Sequence, residues 1–197
     1  MQINFNILKK KFIVYINMCW NFFWLSIIGI FDVVLHPLVF SKSNPLIKYE
    51  PRKITDNVYQ LIPEINYDLE IMNNDLFLIF LSVIIFFLDH EMFNVFVACR
   101  LIRIIAIYLV QFPNPCVNSH ITRYRSHDLI ISGHTIQWNL IFMYFYDNYE
   151  WFVTFPFACL LLLYYIYIIK KEHHYSIDVF FGLYVSTTMY IIIKHLL

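Results

Sequence analysis

Two short stretches concentrate the chemistry of this chain. DLIISGHT runs from Asp128 to Thr135, and HHYSIDVF follows from His173 to Phe180. His174 and Asp178 stand four residues apart, which on a helix puts them on one face, one turn apart. Asp178 can then accept from one imidazole nitrogen and leave the other free to act, the orienting half of a nucleophilic triad. Such chemistry needs a second group that protonates a departing oxygen. His134 is the candidate, with Asp128 as the carboxylate that steadies it.

The residues around His134 suit an anion. Gly133 has no side chain, so a phosphate can approach the backbone closely. Ser132, Gly133 and His134 would open a helix, and the first N–H groups of a helix are unpaired and face an anion. Arg123 and Arg125 lie just upstream and would attract a phosphate headgroup. Arg103 lies within an apolar run, where a charge is costly unless it is paired or faces a polar cavity. It is read as a phosphate or structural partner. His36, His90, His120, His127, His173 and His195 are read as structural, and Lys170 and Lys171 as headgroup anchors at a membrane interface.

The elements that must position these residues are written in the composition. The chain has 197 residues, 60% of them hydrophobic and 14% charged, with zero formal net charge. Soluble domains are about half apolar and a quarter charged, so this chain is shifted towards lipid. The lack of a basic excess argues against a nucleic-acid partner. Cys19, Cys99, Cys116 and Cys159 show no paired spacing, and neither a disulfide framework nor a zinc site is expected.

A helix needs roughly 20 apolar residues to cross a bilayer core. Phe12 to Leu35 qualifies as the first such run and follows Lys9, Lys10 and Lys11. Asp75 to Leu88 is a shorter second run, with an alternative start one turn earlier, at Glu70 or Ile71. Met92 to Phe112, Ile130 to Tyr146, Trp151 to Ile169 and Ile177 to Ile193 complete six. The segment between His36 and Asn74 is the one long polar loop. The expected fold is all-α, a single multi-pass domain over 1–197 with six transmembrane helices, because backbone groups in lipid must bond within their own segment. Six spans put the loops 36–74, 113–129 and 170–176 on one face, so both chemical stretches share it.

These stretches resemble the catalytic motifs of the sphingomyelin synthases. That family carries Cys-Gly-Asp, three residues, then Ser-Gly-His-Thr, and later His-Tyr-(Ser/Thr)-any-Asp-Val. Here Asp128, Ser132, Gly133, His134 and Thr135 match the first, and His174, Tyr175, Ser176, Asp178 and Val179 the second. Arg103 stands ten residues before Pro113 in FPNP, as an arginine does before the family's Leu-Pro-x-Pro turn. The resemblance covers roughly Arg100 to His195, the expected catalytic part. There are departures. Ser126-His127 replaces Cys-Gly, and the family's Pro-Leu-Pro-Asp segment is missing.

The wider group implied is the type 2 phosphatidic-acid phosphatase superfamily. Its phosphatases carry an Arg-Pro and an arginine six residues before the second histidine. Neither is present here, where Ile168 takes the latter place. A phosphomonoester carries nearly two negative charges and wants several forked arginine contacts, so the sparser set suits a phosphodiester.

The resemblance therefore implies a six-helix bundle of the lipid phosphatase/phosphotransferase type that moves a phosphocholine- or phosphoethanolamine-type headgroup from a glycerophospholipid to ceramide or a related lipid alcohol. His174 would be the nucleophile, Asp178 its orienter and His134 the acid and base. Asp128, Ser132, Gly133, Arg103, Arg123, Arg125 and Tyr175 would surround the phosphate. No metal and no cofactor is expected. The alternatives are a lipid phosphate phosphatase or phospholipase C-like hydrolase, and an inactive membrane scaffold. Flanking Lys and Arg, counted at face value, put the catalytic face in the cytosol. The resemblance implies the lumenal or exoplasmic side of an endomembrane (Golgi or ER) or of the plasma membrane.

Overall fold

The computed structural model describes Ile27 and residues 55–109, 131–171 and 173–196. Apart from Ile27, these lie in the compact unit Pro37–Leu197. Within them the elements are α1 (Asn57–Leu61), a 3-10 turn (Glu70–Asn73), α2 (Asp75–Leu88), α3 (His90–Leu109), α4 (Gly133–Asn148), α5 (Trp151–Lys170) and α6 (Ser176–Ile191). A π-helical turn, Ile192–Leu196, prolongs α6. The described residues contain no strand.

Short polar side chains set where the helices begin, by accepting from N–H groups that the first turn leaves unpaired. Asp56 accepts from Val58 and Tyr59 at the start of α1. Asn74 accepts from Phe77 at α2, and Asp89 from Glu91 and Met92 at α3. Ser132 accepts from Thr135 at 3.2 Å, so α4 begins at Gly133, three residues later than the apolar run. Glu70 to Asn73, weighed as a backward extension of the second helix, is a separate turn because Asn74 starts α2 afresh. The polar segment expected as a loop holds α1 and this turn.

α6 is the hub. It packs most extensively on α4, then on α3, and more lightly on α5. Gly182 makes the α4 crossing close, since a Cβ there would meet Thr135 Cβ at 2.9 Å and the Ser132 carbonyl at 3.1 Å. Asn139 Nδ2 donates to Ser186 Oγ at 2.8 Å and Thr187 Oγ1 at 3.0 Å, a polar clasp inside the same crossing. Such small residues and interhelical hydrogen bonds are what drives helix association where lipid removes the hydrophobic difference. Leu78, Phe93, Val95, Ile136, Leu140 and Tyr164 fill the spaces between helices.

Outward, Leu76, Phe80, Phe87, Phe152, Phe155, Leu162, Phe180 and Tyr184 are exposed. Contiguous exposed apolar side chains mark surfaces that meet a membrane or another protein. Trp151–Lys170 and Ser176–Leu196 are long and apolar enough to cross a membrane. Asp75–Leu88 is apolar but shorter. α3 has 20 residues yet carries Glu91, Arg100 and Arg103. α4 has 16 residues, about 24 Å. Of the first expected span, Phe12 to Leu35, all but the helical Ile27 lies outside the described residues.

Candidate active site

The site forms where α2, α4 and α6 all begin, so three partially positive helix ends face one place. A backbone bond joins the two chemical stretches directly, with Ser132 N donating to Asp178 O at 3.1 Å. The N–H groups of His173 and His174 both donate to Ile168 O, at 2.9 and 3.2 Å, which folds the turn after α5 back on itself and presents both imidazoles.

His134 and His174 come together, their ring centroids 6.5 Å apart. Asp178 is fully buried one turn below His174, with Oδ2 3.6 Å from His174 Nδ1. That separation is longer than a hydrogen bond. Oδ2 accepts instead from Tyr175 N at 3.0 Å. Oδ1 and His174 Nδ1 are both buried and have no hydrogen-bond partner among the described residues. A buried carboxylate oxygen without a partner calls for an explanation. Catalytic hydrogen bonds in empty sites are often loose and tighten around substrate, and a small rotation of either side chain would close this one.

Two arginines flank the opening of α4. A Cβ on Gly133 would lie 2.9 Å from Arg100 Nη1 and 3.5 Å from Arg103 Nε. Arg103 Nε donates to Ile131 O at 2.9 Å, which ties α3 to the residue just before the Ser132 cap. Arg103 is buried. α3 continues six residues beyond it, to Leu109, or about 9 Å. Both arginines are therefore carried within their helix and not at its end.

Carboxylates come from the segment before α2. Asp75 Oδ1 lies 3.1 Å from His134 Nε2. Asp56 accepts from Ser176 N at 2.6 Å and Ser176 Oγ at 2.9 Å, capping α6 from a distant part of the chain. Glu70 Oε2 stands 3.5 Å from His173 Nε2, and Tyr167 Oη donates to both Asp68 and Glu70. The Glu70 N–H and the Tyr167 hydroxyl hold the Asp68 carboxyl below its ordinary range. Burial, opposed by Glu70, pulls His173 below the usual histidine value. Lys170 pairs with Glu64 at 3.1 Å and lies over the Tyr59 ring, which holds α1's segment against the end of α5. Among the described residues no group of three His, Cys, Asp or Glu is placed to hold a metal ion.

Of the residues expected from sequence, His134, His174, Asp178, Gly133 and Arg103 are thus gathered at one place. Ser132 and Tyr175 are buried at the helix starts they form. Asp128, Arg123 and Arg125 lie outside the described residues. The carboxylate seen at His134 is Asp75. Asp75, Asp56 and Arg100 were not singled out from sequence. The signal for Arg100 is its spacing, three residues from Arg103 and on the same helix face. Nothing in the sequence marks Asp75 or Asp56, which reach the site only through tertiary packing.

Residues 127–196 match the family model of the PAP2 superfamily C-terminal region. No curated protein and no solved structure matches the chain. The matched region contains His134, His174 and Asp178. The match spans about a third of the chain and supports a general likeness to the lipid phosphatases and phosphotransferases of the type 2 phosphatidic-acid phosphatase superfamily. Arg100, Arg103 and Asp75 come from outside the match, and α3 and α2 bring them to it.

Proposed function

We propose that this protein is a phospholipid headgroup phosphotransferase, built as a six-span bundle with its site on the lumenal or exoplasmic side. The observation that carries the reading is the pair of imidazoles 6.5 Å apart with Asp178 beneath one of them. Rings at that separation can take one phosphate between them, with its phosphorus within near-attack reach of one imidazole and its leaving oxygen within hydrogen-bonding reach of the other.

In this reading His174 Nε2 attacks the phosphorus of a glycerophospholipid headgroup, forming an N–P bond as the bond to the diacylglycerol oxygen breaks. Asp178 balances the imidazolium that develops. His134 gives its proton to the departing oxygen. The headgroup-phosphohistidine splits one hard displacement into two. The hydroxyl of ceramide or a related lipid alcohol then attacks phosphorus, His134 takes its proton, and His174 is released. Arg100, Arg103 and the α4 N-terminus would hold the non-bridging oxygens, whose charge grows in the transition state.

A second reading, hydrolysis by water through the same residues, has one observation in its favour. Arg100 beside Arg103 gives the site a second guanidinium, and a dianionic monoester gains most from that.

Membranes containing the protein, incubated with fluorescent ceramide and single donor phospholipids, decide between them. Transfer gives a fluorescent phosphosphingolipid, and hydrolysis gives diacylglycerol or free phosphate without it. His174→Ala should abolish either. Full activity in that variant removes His174 as nucleophile and the proposal with it.

A further inference from the structure

Asp75 stands where His134 needs a carboxylate. It belongs to the first turn of α2, and the ordinary account of an acidic residue there is attraction to the helix dipole. That account does not explain where it points. The start of α2 is pinned to α4 and α5 by bonds that set its register. Trp138 Nε1 donates to Met72 O at 2.8 Å, and Tyr164 Oη donates to Asn73 Oδ1 at 3.3 Å. Phe77 packs on the Trp138 ring at 6.2 Å. Trp138 is one turn beyond His134 on the same helix. The bond that fixes Met72 therefore brings Asp75, three residues on, to His134.

The result is the 3.1 Å approach of Asp75 Oδ1 to His134 Nε2, at ion-pair distance but off the line of a hydrogen bond. The His134 side chain is 18% exposed and that of Asp75 64%. Solvent screens the exposed Asp75 carboxylate, and a lipid headgroup bound beside it would strengthen the pair by excluding that solvent.

We infer that Asp75 is a positioning residue for the proposed transfer, holding His134 by Nε2 so that Nδ1 carries the proton to and from the reacting oxygens. This rests on the reading given under Proposed function and adds a residue to it. Each histidine then has its own carboxylate, Asp178 for the nucleophile and Asp75 for the acid. In the first step the Nδ1 proton of the His134 imidazolium passes to the diacylglycerol oxygen as its bond to phosphorus breaks, while the Nε2 proton stays facing Asp75. In the second step the neutral Nδ1 takes the proton of the attacking alcohol, restoring the imidazolium.

The test uses leaving groups of different need. A diacylglycerol alkoxide cannot depart without a proton, whereas p-nitrophenolate can. In a single turnover, Asp75→Asn should slow release of diacylglycerol from phosphatidylcholine about 100-fold, the scale of a general acid's contribution, and release of p-nitrophenolate from p-nitrophenylphosphocholine less than threefold, since only this first step depends on the leaving group. Asp75→Glu should recover part of the loss, and His134→Ala should show the same split between the two donors. Equal losses on both donors, or no loss on either, overturn the inference.

A second readout needs no turnover. With ¹⁵N-labelled histidine, and the His134 signals identified by their absence in His134→Gln, the wild-type spectrum taken at a pH where the ring is neutral should show the Nε2-protonated tautomer, and Asp75→Asn should change it. An unchanged spectrum also overturns the inference. If the wild type transfers nothing, or His174→Ala matches it, the functional reading fails, and the spectra still decide whether Asp75 holds His134.

Discussion

Gly133 has a more specific role than giving a phosphate access to backbone. The atom nearest to a Cβ at that position is Arg100 Nη1, the end of a flexible side chain, while the more fixed Arg103 is farther away. Gly133→Ala should therefore fold without difficulty, since Ala is the better helix former by about 1 kcal/mol and only Arg100 must give way. The displaced guanidinium no longer shares the mouth of the site. Turnover should fall about tenfold, roughly the worth of one charge-assisted hydrogen bond of about 1.5 kcal/mol, with an unchanged thermal midpoint. Arg100→Met should show the same loss, and the double variant little more than either alone. Additive losses in the double variant would refute the shared cause. The same residues mark how far the sequence can be read. His174 and Asp178 are legible because their relation is local, four residues on one helix. Gly133 and His134 are legible because they open a helix. Arg100 and Asp75 act from other helices, and a single sequence does not state the register between helices.

The α4–α6 crossing decides whether these residues meet. Gly182 lets α6 lie against the first turn of α4, and its neighbours there are Thr135 Cβ and the Ser132 carbonyl, which cannot swing aside as a long side chain can. Gly182→Ala should force the helices apart and strain the Ser132–Asp178 backbone bond. Overpacking of this sort costs about 1–3 kcal/mol, partly offset by the better helix propensity of Ala. A net loss of about 1–2 kcal/mol in detergent, with activity lost at temperatures where the fold persists, is expected. A variant as stable and as active as wild type would mean that the crossing tolerates a methyl group and that the closeness has no function. The runs of apolar residues locate these elements well, because lipid-facing and buried faces are both apolar and leave continuous stretches. The ends are less legible. Ser132 starts α4 within an apolar run, and Asn74 separates α2 from the turn before it, so caps override hydropathy at both places.

Across the whole described unit the helices alternate in direction, and its two ends differ in character. The starts of α2, α4 and α6 build the site. Their far ends meet at a single ammonium group, where Lys194 Nζ lies 2.7 Å from Asp89 Oδ2 and 3.0 Å from Asp147 Oδ2. Tyr190 also donates to Asp147. Lys194 thus ties the turn after α2 to the end of α4, from the turn that prolongs α6, one bundle length from the histidines. Nothing in the apolar periodicity announces this clasp, since its three members are far apart in the chain. Lys194 and Asp89 are half-buried and Asp147 lies at the surface, so removing the cation leaves two carboxylates near each other. An exposed ion pair is worth about 0.2–1 kcal/mol, and the half-buried Asp89 partner should bring the loss to about 1–2 kcal/mol. Lys194→Met should accordingly lower the thermal midpoint in detergent while leaving turnover per folded molecule unchanged at low temperature, because no catalytic residue lies at that end. If turnover falls at temperatures where the variant is fully folded, the two ends are coupled through α4 and α6, and the clasp sets the spacing of the histidines as well as the stability of the bundle.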